Sequence, residues 1–330
     1  MKTALGVELR GTGAFVPADI LDNEYFSRYL DTSDEWIVTR TGIHQRRRAG
    51  ANESTSTMAV EASRRAIADA AIDPTEIDLI LCATATPDYA IPPTAPIIQE
   101  QIGAVRAAAF DVSAACAGFL YGSAVAFGML QTGVYRRVLV IGAETLTRVT
   151  DYEDRSTAIL FGDGAGAAIY APAEKDGPRV LFIELGTDGS HAKDIWMPGG
   201  GSRLPSSTTT VAERLHFMKM KGREVYKFAV SKMMDLIDRA LESTGLSPND
   251  LKLVIPHQSN LRIIESVREK LGLPQEKIAV NIDQFGNTSA ASVIMALDAA
   301  RRDGTLRSGD HIMMLAIGAG LTWGAVVMRL

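Results

Sequence analysis

Three side chains suited to covalent chemistry each lie where a predicted strand ends in a turn. Cys116 lies in AAAFDVSAACAGFLYGSAVAFGML (residues 107–130), where a buried strand runs through a turn of small residues into a helix. His257 follows the apolar run VIP, and Asn287 lies in FGNTSA at the head of another helix. Unpaired N–H groups and the helix dipole favour negative charge at a helix N-terminus, and the thiolate is the nucleophilic form of cysteine. We therefore expect Cys116 to be a reactive sulfur with a lowered pKa in an apolar interior.

Each of these side chains also has a purely structural interpretation. Free cysteine usually packs in a core, as Cys82 in the apolar run 79–86 is expected to do. A histidine after a strand is usually a satisfied polar group, and asparagine is a common helix N-cap. The combination of Cys116, His257 and Asn287 at similar junctions favours catalysis. Papain-like hydrolases use Cys, His and Asn in this chain order, but their signature around the cysteine and their disulfides are absent here. Enzymes that condense acyl thioesters use the same order.

Size and composition are those of a soluble globular protein. The 330 residues carry a net charge of −5, which argues against nucleic-acid binding, and they suffice for two domains or two related halves. Two cysteines cannot build a disulfide framework, and no apolar signal-type core is found near the N-terminus, so we expect a cytoplasmic protein. Residues 112–135 lack charge and are long enough to cross a bilayer, but their polar residues and glycines favour a helix buried against a sheet. We therefore expect no membrane partner.

The alternation of apolar runs with turn residues predicts a chain of strands and helices. Strands are expected near 5–17, 79–86, 107–112, 136–144, 158–172 (a glycine-broken pair), 179–189, 251–260 (a strand, then a loop), the first part of 277–302, and 311–330 (two strands). Helices are expected at 23–40, 54–71, from 97 onward, at 222–243, at 262–271 and in the last part of 277–302. Loops are expected at 88–96, 145–157 and 198–210, and a solvated turn at 46–48.

Gly162, Gly164 and Ala167 bear a superficial likeness to a dinucleotide-binding fingerprint. That motif needs a strand, a turn and a helix in succession. No helix pattern follows here, and residues 168–172 look extended. We therefore expect no Rossmann site.

The order of segments contains a repeat. IDPTEIDLIL (72–81) matches LSPNDLKLVI (246–255), and VLVIGAE (138–144) matches MMLAIGAG (313–320). The strand–turn–helix around Cys116 matches the one around Asn287, and the offset is about 174 residues throughout. We infer two pseudo-equivalent α/β halves, 1–174 carrying the cysteine and 175–330 carrying the histidine and asparagine, with one cleft between them.

Seven segments spread over nearly the whole chain carry a family resemblance: DTSDEWIVTRTGI (31–43), STMAVEASRRAI (56–67), DVSAACAGF (111–119), ILFGDGAGAA (159–168), VIPHQSNLRI (254–263), NIDQFGNTSAAS (281–292) and GAGLTWGA (318–325). On these segments the chain closely resembles the beta-ketoacyl-acyl-carrier-protein synthase III family of thiolase-fold condensing enzymes. The DEWI…RTGI pattern and the His-x-x-Asn-x-Arg segment are specific to synthase III rather than to the wider superfamily.

The resemblance implies an α/β, thiolase-like fold of five layers, α-β-α-β-α, assembled as a homodimer. It implies decarboxylative condensation of an acyl-CoA primer with malonyl-acyl-carrier protein, which starts fatty acid synthesis, without a metal or a tightly bound cofactor. The alternative is a synthase III relative of secondary metabolism that uses a longer or unusual primer. Such relatives often alter the active-site asparagine or histidine, and both stand here. A non-catalytic binding scaffold is the interpretation from another class.

The resemblance also implies the catalytic roles. Cys116 would accept the acyl group, and the backbone N–H groups of Cys116 and Ala319 would form the oxyanion hole. Neutral His257 and Asn287 would donate hydrogen bonds to the thioester oxygen of the malonyl group. They would stabilise the enolate that decarboxylation leaves.

Substrate-binding residues follow from the same resemblance. Trp36 and Arg155 would sandwich the adenine of CoA, an aromatic and guanidinium stack. The CoA and pantetheine channel would be lined by Thr32, Trp36, Arg40, Arg155, Gly222 and Asn260. The acyl pocket would be formed by Ile91, Leu146, Phe161 and Ile317. Because the carrier protein is acidic, a local basic patch is required, supplied by Lys227, Arg262 and Lys270, with Lys219, Lys221 and Arg223 as further candidates.

Four features depart from the family pattern. The usual glycine triplet is Gly318-Ala319-Gly320 here, and alanine keeps the N–H that an oxyanion hole needs. Ile317 stands where an aromatic residue often precedes that triplet. Ile91 holds the position of an aromatic gate that the partner subunit often contributes, and the smaller side chain favours a primer longer than acetyl. The loop 198–212 is longer than in short-chain members and has no assigned role.

Overall fold

Strands and helices alternate along the computed structural model, which describes residues 5–174 and 177–330. The strands are β1 (Leu5–Phe15), β2 (Asp19–Asp22), β3 (Gln45–Arg48), β4 (Leu79–Ala83), β5 (Ala108–Val112), β6 (Val138–Thr145), β7 (Asp163–Pro172), β8 (Arg179–Thr187), β9 (Ile195–Trp196), β10 (Lys219–Met220), β11 (Leu251–Pro256), β12 (His311–Gly318) and β13 (Thr322–Arg329). The helices are α1 (Asn23–Ser27), α2 (Asp34–Thr41), α3 (Thr55–Ala70), α4 (Thr94–Gln101), α5 (Gly118–Gln131), α6 (Arg155–Ala158), α7 (Thr208–Ala212), α8 (Gly222–Thr244), α9 (Leu261–Leu271), α10 (Ile282–Phe285) and α11 (Ala291–Arg302).

Nine of these strands form one mixed sheet, in the order β11-β12-β13-β8-β1-β7-β6-β4-β5. From β1 outward, β7 and then β6 pair antiparallel, and β4 and β5 continue in parallel. From β8 outward, β13 and then β12 pair antiparallel, β11 continues in parallel, and a single parallel bridge joins Val254 to Ile278. The same order of pairing therefore occurs on both sides of the contact between β1 and β8.

The matching segments 72–81 and 246–255 have matching structures. Pro74–Glu76 and Pro248–Asp250 are both 3₁₀ turns closed by a capping box, and they lead into β4 and β11 respectively. This supports two related halves. The division into 1–174 and 175–330 stays a prediction, because residues 175 and 176 lie outside the described residues.

The helices lie in three layers around the two arms of the sheet. Helices α3 and α4 pack on the β1–β7–β6–β4–β5 arm, and α8 packs on β8, β12 and β13 with α9 beside it. Helices α5 and α11 contact strands of both arms and so form the middle layer. The largest apolar cluster lies in this middle layer and includes Phe119, Phe127, Ile294 and Leu297. A helix without charged residues, such as α5, is suited to a layer buried on both sides. The expected buried helix is confirmed, and no helix of the described residues is long and apolar enough to cross a membrane.

Two glycines let the backbones of the middle layer approach the strands closely. A Cβ on Gly142 of β6 would collide with the carbonyl oxygen of Ala290, at the start of α11. A Cβ on Gly318, at the end of β12, would lie 2.7 Å from the carbonyl oxygen of Ala114 and 2.9 Å from the nitrogen of Ala117. The N-terminal end of α5 is thus held against β12, and that of α11 against β6. In each case the strand belongs to the opposite arm.

Residues 46–48 correct one sequence-based expectation. They are not a solvated turn but part of β3, and Arg46 is completely buried. Its guanidinium donates hydrogen bonds to the carbonyl oxygens of Leu21 and Ile159 and to Asn23 Oδ1, and it lies 4.6 Å from the Phe26 ring. Burial lowers the pKa of Arg46 to about 10. A run of arginines is usually interpreted as solvent-exposed. The sequence does not show that carbonyl groups far along the chain bind one of them.

Two further expectations were wrong at the level of local structure. Residues 158–172 are not a pair of strands: α6 ends at residue 158, and β7 alone follows from residue 163. The strand expected at the start of 277–302 is reduced to the bridge at Ile278, followed by the short helix α10. In both places turn residues, Gly162 and Asn281, interrupt an apolar run.

The close approach at Gly142 predicts that a single methyl group will destabilise the protein. In Gly142→Ala, either β6 or the start of α11 must move, and overpacking of this kind typically costs about 1–3 kcal/mol. The free energy of unfolding, measured by urea titration, should fall by that amount. Gly128→Ala in α5 is the matched control, because its Cβ meets no atom within 4 Å, and helix propensity should leave its stability unchanged or raised by up to about 1 kcal/mol. An unchanged midpoint for Gly142→Ala would contradict the close approach.

Candidate active site

Cys116 lies in the 3₁₀ turn Ala115–Ala117, between the end of β5 and the start of α5. Ala115 has a φ of 46°, a left-handed conformation that sharpens the turn. Cys116 is half-buried and lines a cavity. Burial raises the pKa of its thiol to about 12, and the charge of Glu144 acts in the same direction. The expected lowering of this pKa is therefore wrong, because desolvation of the thiolate outweighs the helix N-terminus.

His257 follows β11 and is almost fully buried. Its backbone N–H donates to the carbonyl oxygen of Leu315 over 2.7 Å, and its ring Nδ1 lies 2.6 Å from Ser292 Oγ. Burial lowers the pKa of His257 to about 3. The imidazole is thus neutral near pH 7 and carries one ring proton.

Ser292 is the hydrogen-bond partner of the His257 ring. Its hydroxyl oxygen also accepts a hydrogen bond from the backbone N–H of Gln258 over 3.4 Å. We infer that the serine hydrogen is donated to Nδ1 of His257, which makes Nδ1 the acceptor and Nε2 the protonated nitrogen. The ring then presents an N–H donor to the cavity.

Asn287 lies in the turn between α10 and α11. Its backbone N–H donates to the carbonyl oxygen of Leu160, and its carbonyl oxygen accepts from the N–H of Gly162. The side-chain Oδ1 accepts from the N–H of Ser289 over 2.9 Å. Because the oxygen is used in this way, the Nδ2 amide is directed away from the turn as a donor.

The structure brings all three residues to one cavity of about 310 Å³. Ala319 lines the same cavity, and its turn is held beside that of Cys116 by Thr322, whose hydroxyl donates to the carbonyl oxygen of Ala114 over 3.0 Å. Cys116, His257, Asn287 and Ala319 thus surround one largely apolar space. Such a space suits a thioester, whose oxygen gains negative charge during acyl transfer.

Half of the residues predicted to bind substrate line this cavity. Leu146, Phe161, Ile317, Gly222 and Asn260 line it. The amide of Asn260 also has a structural task, since Nδ2 donates to the carbonyl oxygen of Arg40 and Oδ1 caps α9. Ile91, which holds the position of a gate contributed by the partner subunit, is 88% exposed in the single chain and does not line the cavity of its own chain.

The predicted adenine site is already filled by protein side chains. The Trp36 ring has the Arg40 guanidinium 4.1 Å and the Arg155 guanidinium 4.8 Å from its centroid. Arg155 Nη1 also contacts the Asp31 side chain at 3.2 Å. A ligand ring can enter between Trp36 and Arg155 only if Arg155 moves aside. The buried hydroxyl of Thr32 has no hydrogen-bond partner among the described residues.

The basic residues predicted to dock a carrier protein are not equivalent. Lys227 on α8 and Arg262 on α9 are exposed, but Arg262 shares a surface groove with Glu265 and Glu269. Lys270 forms an ion pair with Asp238 at 2.8 Å. Among the further candidates, Lys219 pairs with Asp151 and Lys221 with Asp194, whereas Arg223 is exposed at the start of α8.

The loop 198–212 lies within the segment 195–220, whose ends border the cavity. Ile195, Trp196 and Met220 of the small β9–β10 sheet, together with the adjacent Met218, line the cavity. Arg214 and Lys219 both bind the carboxylate of Asp151, whose pKa they hold at about 2. The segment therefore forms an apolar wall fastened by ion pairs.

Sequence reasoning missed three polar residues of the site: Glu144, Ser289 and Ser292. Glu144, near the end of β6, was the one detectable from the sequence, because a carboxylate in an otherwise apolar buried strand is unusual. The serines gave no such signal. Their partners Glu144 and His257 are 145 and 35 residues away in the chain.

Comparison with known proteins agrees with this geometry. Residues 110–189 match the family model 3-Oxoacyl-[acyl-carrier-protein (ACP)] synthase III, and residues 241–330 match that of the synthase III C terminal. Similar proteins named beta-ketoacyl-[acyl-carrier-protein] synthase III occur in Caldanaerobacter subterraneus subsp. tengcongensis (50% identity, covering 99% of this chain and 98% of the relative) and in Clostridioides difficile (47%, covering 100% and 99%).

Solved structures of synthase III proteins share the fold. The enzyme from Aquifex aeolicus aligns with a TM-score of 0.90 at 42% identity, covering 98% of this chain and 100% of that one. The priming beta-ketosynthase of the R1128 polyketide pathway aligns with a TM-score of 0.91 at 36% identity, covering 100% and 98%. The predicted thiolase-like fold of a condensing enzyme is confirmed.

The chain belongs to the beta-ketoacyl-acyl-carrier-protein synthase III family. Enzymes of this family condense an acyl-CoA with malonyl-acyl-carrier protein and so initiate fatty acid synthesis. The relatives favour this activity over the alternative in secondary metabolism.

The contact between Ser292 and His257 predicts a selective defect. In Ser292→Ala, Nδ1 loses its donor and the imidazole is free to protonate there instead, so the N–H aimed at the cavity is lost part of the time. The rate of decarboxylation of malonyl-carrier protein, measured as carbon dioxide release, should fall by up to about 10²-fold. This is the loss expected when one oxyanion donor is removed. Acyl transfer from acyl-CoA to the enzyme should be unchanged.

Two control variants separate this effect from general destabilisation. Ser292→Thr keeps a hydroxyl and should restore most of the decarboxylation rate. Ser123→Ala removes another buried hydroxyl, 3.3 Å from Tyr170 Oη in the core, and should leave the rate near that of the wild type. Equal decarboxylation by Ser292→Ala and the wild type would rule out this role.

Proposed function

We propose that Cys116 carries the acyl group between two half-reactions, and that His257 and Asn287 act in the second. The proposal rests on one observation, the convergence of the three side chains on a single apolar cavity. Each is fixed by the backbone or by a buried hydrogen bond rather than by a flexible side-chain contact. Fixed donors in a water-poor site stabilise developing charge without reorganising.

In the first half-reaction the Cys116 sulfur attacks the thioester carbon of acyl-CoA. The carbonyl oxygen becomes an oxyanion, which the backbone N–H groups of Cys116 and Ala319 would bind. The bond from carbon to the CoA sulfur then breaks, and CoA leaves as a thiol with the proton that Cys116 gave up. Alanine at 319 serves as well as glycine, because only its N–H is used.

In the second half-reaction malonyl-carrier protein occupies the same cavity. Nε2–H of His257 and Nδ2–H of Asn287 would donate to its thioester oxygen. The bond to the carboxylate breaks, carbon dioxide leaves, and the electron pair forms an enolate on that oxygen. The enolate carbon attacks the acyl-Cys116 carbonyl, and the bond to Cys116 breaks with its electron pair on the sulfur. The 3-ketoacyl thioester departs, and the sulfur takes up a proton from water to restore the thiol. The pKa of about 3 at His257 keeps the imidazole neutral throughout the physiological range.

We propose that the substrates enter past Trp36. Arg155 would swing off the Trp36 ring so that adenine stacks between them. Pantetheine would then run past Thr32, Gly222 and Asn260 toward Cys116. The chemistry assigns every step to side chains and backbone groups of this chain, and we expect no metal or tightly bound cofactor.

Docking of the acidic carrier protein would use the exposed cations beside this entrance. Arg262 and Lys227 are the better candidates, since Lys270 already pairs with Asp238. The protein would act in the cytoplasm, where its carrier protein and acyl-CoA are made available to it.

A homodimer would form along the free edge of β5. This strand is the last of the sheet, and its backbone and the half-exposed Phe110 face solvent in the single chain. Tyr89, Ile91 and Val105 expose further apolar surface nearby in sequence, at 61%, 88% and 71%. An unpaired apolar edge is a template for strand pairing, and a second copy satisfies it by two-fold symmetry. The partner's copy of Ile91 would then reach the acyl pocket, as the sequence predicts.

Acyl-enzyme formation tests the role of Cys116. Cys116→Ser should abolish it, because a serine hydroxyl is far less nucleophilic than a thiol; the intact mass after incubation with acetyl-CoA reports it. Cys82→Ser is the matched control, since Cys82 is fully buried in β4, and it should acylate normally. A Cys116→Ser protein that still gains an acetyl group would exclude the proposed nucleophile, and condensation that survives alkylation of Cys116 would exclude a Cys116 acyl-enzyme.

The dimer interface has its own test. Phe110→Asp places a charge on the β5 edge and should convert a dimer to monomers in analytical ultracentrifugation. Val134→Asp, at another exposed apolar residue after α5, should leave the dimer intact. A wild-type chain that sediments as a monomer at micromolar concentration would refute the interface.

A further inference from the structure

Glu144 is a fully buried carboxyl group to which the two half-reactions assign no role. It lies near the C-terminal end of β6. Its Oε2 accepts hydrogen bonds from the hydroxyl groups of Thr86 over 2.6 Å and of Thr84 over 3.3 Å, and its Oε1 accepts from Ser289 Oγ over 2.9 Å. The backbone N–H of Ala85 lies 3.2 Å from Oε1 and 3.1 Å from Oε2. All four donors are neutral.

These donors match an ionised carboxylate. The hydroxyl oxygens of Thr84 and Thr86 each accept a backbone N–H, from Thr86 and Thr145 respectively, so their own hydrogens are left for Glu144. A carboxylate is the form that only accepts. Burial raises the pKa of Glu144 above its ordinary value, and the hydrogen bonds from Thr86 and Ser289 act in the other direction. Because a hydrogen bond to a charged acceptor is about twice as strong as a neutral one, Glu144 is a firm anchor for the Ser289 side chain.

Ser289 needs such an anchor because its backbone conformation is unfavourable. Its φ is 47°, in the left-handed region, although the residue is not a glycine. For a residue with a Cβ this region is disfavoured by a factor of about ten in population. Contacts must therefore hold the turn, and the buried bond from Ser289 Oγ to Glu144 is one of them.

The left-handed turn directs two backbone groups of Ser289 toward the predicted donors of the second half-reaction. The N–H of Ser289 donates to Asn287 Oδ1 over 2.9 Å, and its carbonyl oxygen accepts from the N–H of Ser292, the partner of the His257 ring, over 3.1 Å. The main chain of Asn287 is held separately, by backbone hydrogen bonds to residues 160–162. The N–H of Ser289 therefore acts on the orientation of the Asn287 amide.

We propose that Glu144 is a positioning residue for decarboxylation, because it holds, through Ser289, the turn that orients the Asn287 amide. This rests on the proposed function, in which Nδ2–H of Asn287 donates to the thioester oxygen. Without the anchor the turn relaxes toward a more favourable φ, the N–H of Ser289 leaves Oδ1, and the amide rotates. Decarboxylation then slows, because a donor is effective only when it is preorganised. Acylation uses the backbone N–H groups of Cys116 and Ala319 and does not slow.

Two substitutions at Ser289 separate the backbone conformation from the hydroxyl group. Ser289→Ala removes the anchor and keeps the left-handed strain. Its rate of decarboxylation of malonyl-carrier protein, measured as carbon dioxide release, should fall by about tenfold or more. Ser289→Gly also lacks the hydroxyl, but glycine adopts this conformation readily, so it should decarboxylate several-fold faster than Ser289→Ala. In both variants kcat should fall more than KM changes, and single-turnover acylation by acetyl-CoA should stay near the wild-type rate.

Glu144→Gln tests the other end of the hydrogen bond. Its single acceptor oxygen is retained by the two threonine hydroxyl groups, so its NH₂ group faces Ser289, and a neutral bond replaces the charge-assisted one. Decarboxylation should fall, but by a smaller factor than in Ser289→Ala.

Ala71→Gly is the matched control for backbone strain. Ala71, the C-cap of α3, is also left-handed, with a φ of 52°. Relief of its strain should raise the thermal stability and leave both half-reactions unchanged. Thermal unfolding of every variant shows that it is folded, and if Glu144→Gln fails to fold, the two variants at Ser289 decide.

Asn287→Ala separates failure of the anchor from failure of the proposed function. It should slow decarboxylation by about 10²-fold, and a wild-type rate would refute the role of Asn287 itself. If Asn287→Ala is slow, each of four results would overturn the anchor: a wild-type rate in Ser289→Ala, a wild-type rate in Glu144→Gln, Ser289→Gly no faster than Ser289→Ala, or acylation slowed as much as decarboxylation. The third result would assign the effect to the hydroxyl group rather than to the turn.

Discussion

Exclusion of water from the layer between the two arms of the sheet is the constraint on which the site depends. Helices α5 and α11 are packed on both sides, and their N-terminal ends carry the turns of Cys116 and Asn287. Glycines at 142 and 318 allow the backbone contacts that seal this layer. A larger residue at either position would separate the helix end from the strand and admit water to the reacting groups.

The same desolvation acts on each reacting group and sets its protonation state. It raises the pKa of Cys116 and Glu144 and lowers that of His257. A neutral imidazole is a donor that keeps its hydrogen, which suits a site where negative charge develops on a substrate oxygen. A protonated thiol is the cost of this arrangement.

Local patterns were sufficient for much of the fold. Helix α3 was predicted to within one residue at each end because serine caps it and alanines fill it, and α8 ended at Gly245 as expected. The strands β12 and β13 and the turn before α5 also agreed, since their signals lie in neighbouring residues. Predictions failed where the partner is remote. Arg46 looked solvated because the carbonyl of Ile159, which binds it, is 113 residues away. The first part of 277–302 looked like a strand because it is an apolar run. The run does not show that only one β-bridge forms there.

The sequence by itself determined the family and the identity of the three central side chains, because short motifs preserve the turn, the nucleophile and its partners in order. It also determined the alternation of elements, which depends on periodicity within each segment. The tertiary structure alone decided the acid–base properties of the site. Desolvation and hydrogen bonding depend on atoms brought together from both arms, so the neutral state of His257, the protonated state of Cys116 and the contact of Ser289 with Glu144 have no signature in any one stretch of the chain.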